Sequence, residues 1–195
     1  MNSIMQIPDQ VAQAILANRK YFHQLDADAK AKNPNMGFVT KPLALDAELQ
    51  FWNIPDDEAL IEFLDGDLLS ALYGSDAIDW NAMPPGYKPL LLVLEFERHC
   101  AFEGWTAVSN KGETDMAEII AAYREVGLDD EASALVAVTA AYVGLGDDDH
   151  PDFHELLGKA YRSVPNATPD EEDRAVVILK FVRENPALFW RLGET

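Results

Sequence analysis

The chain has 195 residues, with 15 Lys and Arg against 34 Asp and Glu, a formal net charge of −19. That length suits one domain with a substantial core, and the 48% hydrophobic and 10% aromatic content excludes a disordered acidic tail. The single cysteine, Cys100, excludes an internally stapled scaffold, and the charge excludes unaided binding to nucleic acid or to an anionic membrane.

Met1–Pro8 has no basic stretch leading into an apolar core, so no signal peptide is expected. The longest apolar runs, such as Leu90–Leu94 and Ala175–Leu179, are five residues long and far too short to span a bilayer. A cytoplasmic location is the resulting expectation. Helical spacing recurs along the chain, whereas strand-like alternation never persists. Pro8-Asp9 opens a first predicted helix to about Gln24, with Val11, Ala14, Ile15 and Phe22 as its apolar stripe. Asn33-Pro34-Asn35, Gly37 and Lys41-Pro42 then mark residues 26–46 as a loop. After Pro55 a second helix is predicted. Asp56, Asp57 and Glu58 suit its positive N-terminal end, and Leu60, Ile61, Leu64, Leu68 and Leu72 form its buried stripe. Glu58, Glu62 and Asp65 fall on its solvent side.

Gly74-Ser75 and Met83-Pro84-Pro85-Gly86 bracket a turn-rich connection. Leu90–Val108 reads as a mostly buried helix weakened near its end by Gly104. Thr114 opens the next helix, which Gly127 caps. Asp129-Asp130 begin a helix through Tyr142 that is apolar on most faces and is expected to lie centrally. Gly144–Asp149 is a loop, and Pro151 starts a helix to about Arg162. Thr168-Pro169-Asp170-Glu171 reads as Thr cap, Pro at the first position and Glu at the third, opening a helix to about Asn185. Pro186 sets off a last turn carrying Phe189 and Trp190. No repeat is visible. The expectation is one all-α domain over residues 1–195, of about seven helices, with residues 1–55 as an N-terminal extension.

Charge is unevenly placed. Residues 42–87 contain no Lys or Arg but ten acids, and residues 125–158 contain none but nine acids. Those nineteen match the whole excess, since the remaining 115 residues carry 15 acids and 15 bases. Two base-free blocks point to an acidic face, with a solvated surface that serves solubility as the simpler reading.

Candidates for chemistry are few. His150, Asp152 and His154 in the run Asp147–Glu155 offer metal-ligand types, but the zinc-protease spacing and the calcium-loop glycine are missing. An acidic loop entering a helix explains those residues without an ion, so no metal and no cofactor are expected. His99 and Cys100 are adjacent on a helix and point about 100° apart, which disfavours a nucleophile–base pair. Glu95, Glu97, Arg98 and Glu103 resemble acid–base carboxylates, yet Glu95 with Arg98 or His99 is more simply an internal ion pair. No Walker loop, dinucleotide fingerprint or nucleophile elbow occurs. Phe51-Trp52 and Trp80, inside the first acidic block, are either core or apolar anchors of a binding patch.

The run from Glu95 to Trp105 (EFERHCAFEGW), followed by Asn110, resembles a degraded form of a motif from a helical domain family of unknown function. That motif has a Glu, an Asn-Gly-Gly-aromatic step and a downstream Asn, and Glu103 here stands where the family usually has Asn or Gly. Ala121–Leu128 and Ala132–Val138 are similar to the family's next helix pair, so the likeness covers about residues 68–143. The family includes a bacterial DNA-mimic protein, which displays carboxylates like duplex phosphates and occupies a DNA-binding protein. The resemblance thus implies a bacterial protein that engages a basic surface, and suggests a homodimer.

The expected function is therefore a non-enzymatic acidic interaction protein that occupies the basic face of a regulator or nucleoid protein. Its first row is Asp56, Asp57, Glu58, Glu62, Asp65, Asp76 and Asp79, and its second is Asp129, Asp130, Asp147, Asp148 and Asp149. The alternatives are an immunity-type inhibitor of a basic toxin or nuclease, a metal-dependent enzyme at Asp147–His154, and a structural protein whose charge serves solubility alone.

Overall fold

The computed structural model describes residues 5–33, 44–73, 78–146 and 148–192. It is all-helical, as expected, apart from one pair of two-residue strands: β1 (Met5–Gln6) runs antiparallel to β2 (Arg191–Leu192), with Met5 opposite Leu192. The chain forms two compact units, one of Met1–Pro84 with Asn185–Thr195, the other of Pro85–Glu184.

In the first unit, α1 spans Asp9–Lys32, eight residues beyond the predicted end. The loop expected from residue 26 starts later because Ala27, Ala29 and Ala31 are strong helix formers and Lys30 pairs with Asp26 at 2.6 Å across one turn. The residues 34–43 of that expected loop lie outside the described residues. α2 (Asp57–Glu62), a π-helical stretch (Phe63–Leu69) and α3 (Ser70–Leu72) follow without a break. Counted as one, they bring the total to the expected seven helices among the described residues. Asp56 caps α2 by accepting from the Ala59 amide at 2.8 Å.

The π stretch changes which residues turn inward, because its i→i+5 bonds widen the turn. Asp67, Leu68 and Leu69 are buried in succession, while Ile61, placed on the predicted stripe, is 44% exposed. Phe51 centres this core, edge-on to Trp52 and Phe189 with ring centroids 5.2 Å away in each case, and stacked on Phe63 at 5.5 Å. Phe51 and Trp52 are therefore core, and Trp80 is exposed.

In the second unit, α4 (Tyr87–Glu103), α5 (Thr106–Val126), α6 (Asp129–Leu145) and α7 (Phe153–Tyr161) each pack on the next, and α8 (Glu171–Glu184) packs on α5. α4 stops at Gly104 instead of continuing to Val108. α5 is broken at Gly112, whose φ of 69° and ψ of 174° no ordinary side chain tolerates, so its regular half begins close to the predicted Thr114. Gly127 ends α5 in the left-handed region, as expected. α6 is not apolar-buried all round: Ala132, Leu135 and Val138 face the core, but Val136 and Val143 are about half exposed. The predicted Thr168 cap is displaced. Asp170 accepts from the Glu172 amide at 2.9 Å and caps α8, and the Thr168 hydroxyl accepts from the Asp170 amide one step earlier.

Candidate functional site

Ten of the twelve acids singled out from the sequence are among the described residues, and all ten are exposed. Asp56, Asp57, Glu58, Glu62 and Asp65 are all exposed along the α2–π stretch. Asp79 is exposed and caps a short turn, accepting from the Asn81 amide at 3.1 Å. Asp129 and Asp130 are exposed in the first turn of α6; Asp148, which accepts from the Ser109 hydroxyl at 3.0 Å, and Asp149 are exposed beyond its other end. Asp76 and Asp147 lie outside the described residues.

The first row belongs to the first unit and the second row to the second. The second row is two clusters, because the 17 residues of α6 separate Asp129-Asp130 from Asp148-Asp149 by about 25 Å. Two acids of the base-free blocks are internal: Asp67 is 5% exposed and Glu131 is 7% exposed.

Asp67 meets Arg19, whose Nε and Nη2 both donate to Oδ2, at 2.8 Å and 2.5 Å. Arg19 also donates to the Ala47 carbonyl at 2.9 Å and lies over the Phe63 ring. Burial raises the Asp67 carboxyl above its ordinary range, against the pull of Arg19. Sequence reading missed this pair, although Arg19 falls on the stripe of Val11 and Ile15 at four-residue spacing, where a cation signals a buried partner.

α4 carries the polar cluster of the second unit. Glu95, 2% exposed, accepts from Lys111 and from His99 Nε2 at 3.0 Å. The expected internal pairing of Glu95 with His99 is present, and Lys111 is an addition the sequence did not suggest. His99 Nδ1 is buried without a hydrogen-bond partner, 3.9 Å from the Glu103 carboxylate, which accepts from Asn110 at 2.8 Å. Two residues on, Glu97 receives a two-pronged contact from Arg174: Nε to Oε1 at 2.8 Å and Nη2 to Oε2 at 2.6 Å. The Tyr123 hydroxyl donates to Glu97 Oε1 at 2.5 Å. Burial opposes the Arg174 charge, but the Glu97 carboxylate overcomes it and holds the guanidinium above its ordinary range.

The Thr168 peptide joins this cluster to α6. Its amide donates to Glu131 at 3.2 Å, and its carbonyl accepts from Arg174 at 3.0 Å and from the Tyr161 hydroxyl at 2.7 Å. Beside the network lies a cavity of about 460 Å³ with Phe96, Cys100, Trp105, Tyr161 and Arg174 among its walls.

Burial pushes the Cys100 thiol up to about 12, with Glu97 adding to the effect. The thiolate is the nucleophile, so a rise from 9.0 to about 12 removes roughly a thousandfold of it at pH 8. Iodoacetamide at pH 8 is expected to label Cys100 in the native protein two to three orders of magnitude more slowly than in guanidinium, read by mass spectrometry. Labelling at the unfolded rate would contradict a neutral, shielded thiol.

His150 precedes α7, as expected, and its Nδ1 accepts from the Asp152 amide at 3.1 Å within the turn. No group of three or more His, Cys, Asp or Glu side chains placed to hold a metal ion occurs among the described residues. No helix among them is long and apolar enough to cross a membrane. Comparison of the chain with protein-family models, with curated proteins and with solved structures finds no match.

Proposed function

We propose that the protein is a non-enzymatic acidic interaction protein, and that the exposed carboxylates of the α2–π stretch dock it on a basic protein surface. The observation that carries this reading is their density. Asp56, Asp57, Glu58, Glu62 and Asp65 are all exposed on one continuous helical stretch without a cation in its sequence. At a helical rise of about 1.5 Å per residue, five charges share roughly 14 Å. That is near one charge per ~3 Å, close to the ~3.4 Å spacing along one DNA strand. Glu58 and Glu62, one turn apart, repel each other, and a Lys- and Arg-rich partner would relieve that repulsion. The DNA-binding face of a regulator or nucleoid protein is such a partner, in keeping with the resemblance carried by Glu95–Asn110.

The test is a pull-down from the source lysate, eluted with a salt gradient, beside a variant with Asp57→Asn, Glu58→Gln, Glu62→Gln and Asp65→Asn. Asp56 is kept because its cap holds the helix, and loss of a cap costs about 1 kcal/mol. The expected result is a DNA-binding protein retained by the wild type, released by salt and not retained by the variant, with both melting at the same temperature. Equal retention, or no charge-dependent partner, would end the reading.

A further inference from the structure

The cavity of the second unit has walls whose polar groups are mostly committed to one another. Arg174 is engaged by Glu97 and the Thr168 carbonyl, the Tyr123 and Tyr161 hydroxyls each donate to that network, and Glu131 receives the Thr168 amide. Two donors lining the same cavity are not committed. Neither the Trp105 indole N–H nor the Arg162 guanidinium has a protein acceptor among the described residues.

The two donors converge where Gly158 lacks a side chain. A Cβ there would lie 3.4 Å from Trp105 Nε1 and 3.2 Å from Arg162 Nη1, so those nitrogens are at most 6.6 Å apart. Hydrogen bonds of about 2.9 Å from each reach the two oxygens of one carboxylate across such a gap. Part of the remaining wall is apolar and aromatic, namely Phe96, Leu135 and the Trp105–Tyr161 ring pair, whose centroids are 5.4 Å apart, and Glu97 on it is already neutralised by Arg174. The volume of about 460 Å³ falls among ordinary small-molecule sites.

We propose that this cavity binds a small organic monocarboxylate with an apolar, preferably aromatic, body. The carboxylate is held by Trp105 Nε1–H and Arg162 over Gly158, and the body lies against the aromatic wall. Glu131 and Glu171, which also line the cavity, repel a second negative charge and so restrict the ligand to a monoanion.

The probes are 3-phenylpropionate, its neutral amide 3-phenylpropionamide, and the cation 2-phenylethylammonium. The readout is the Trp105 indole N–H resonance, assigned with Trp105→Phe. Phenylpropionate is expected to shift that resonance saturably at millimolar concentration or below. The amide is expected to bind at least tenfold more weakly. Arg162→Gln is expected to weaken phenylpropionate at least tenfold with an unchanged melting temperature, because Arg162 is exposed and bears no internal pair. The proposal is overturned if phenylpropionate leaves the resonance in place, if the amide binds equally well, or if only the ammonium binds. The variant neutralised along the α2–π stretch keeps this site, so failure here and failure of partner binding are read separately.

Discussion

Arg19→Met is expected to destabilise the first unit by about 3–5 kcal/mol, the usual result of leaving one member of a buried ion pair without its partner. Asp67 is 5% exposed and Arg19 is 1% exposed, so water can replace neither partner. Asp67→Asn is expected to cost a similar amount, and Arg19→Met combined with Asp67→Leu to recover most of it. The pair's own attraction is largely offset by its desolvation, whereas a lone buried charge has no offset.

The pH dependence separates this account from simple packing loss. Burial already holds Asp67 above the ordinary value of 3.8, and Arg19 is what lowers it. In Arg19→Met the folded value rises further, so the folded state holds a proton the unfolded chain has released. The added destabilisation is therefore small while both folded forms keep the proton, and it grows as pH climbs from the wild-type folded value, itself above 3.8, to the higher value of the variant. Hydrogen exchange in peptides from α1 and the π stretch reads this directly. Equal loss at every pH, or no recovery in the double variant, would show that Arg19 serves by packing on Phe63 alone.

Arg174→Met is expected to cost the second unit about 3–4 kcal/mol, because one guanidinium serves both Glu97 oxygens and the Thr168 carbonyl. The change leaves Glu97 with the Tyr123 hydroxyl in place of a counter-charge, and it releases the segment entering α8 from α4. Arg174→Lys is expected to recover less than half, since an ammonium cannot reproduce two parallel bonds to a carboxylate and a third to a carbonyl. The signature is loss of exchange protection confined first to α8 and the Thr168 turn. Full recovery by Lys would mean that charge alone matters there and that the two-pronged geometry does not.

The features that could be read from the sequence were those set within one turn of the chain. Pro55 with Asp56, Gly127, and the alternation of polar and apolar residues in α4 through α8 place helices because capping and periodicity act over three or four residues. Errors came where a local signal had a competitor. Thr168 and Asp170 both suit a cap, and Asp170 prevailed. Residues 26–32 share the composition of a loop's approach, yet Ala and a Lys30–Asp26 pair carry the helix through them. The π stretch has no local signature beyond Gly66, so the burial of Asp67 beside Leu68 and Leu69 is not legible from periodicity.

Exposure of the described acidic candidates was legible, because they fall at helix starts, in turns and on the polar side of the predicted stripe, where a carboxylate keeps its water. Arg19–Asp67 and Arg174–Glu97 were not, being 48 and 77 residues apart in the chain. A usable clue did exist for the charged members on buried faces. Arg19 on the Val11–Ile15 stripe and Glu131 beside Ala132 and Leu135 each break an apolar face, and such a break is affordable only with a partner. Nothing in the sequence drew Trp105, Gly158 and Arg162 together, since the cavity they line is a product of how α7 meets the end of α4.

Phe51 and Phe189 meet edge to face in the first unit, yet the whole second unit separates them along the chain. During synthesis Phe51 leaves the ribosome long before Phe189 exists, while every residue of the second unit is already available. The second unit is thus complete in a chain that ends at Glu184, whereas the first must wait, with Phe51, Trp52 and Phe63 unshielded, for Phe189. A chain truncated after Glu184 and released from the ribosome should therefore have a first unit open to proteolysis and to chaperones, and a second unit that resists both.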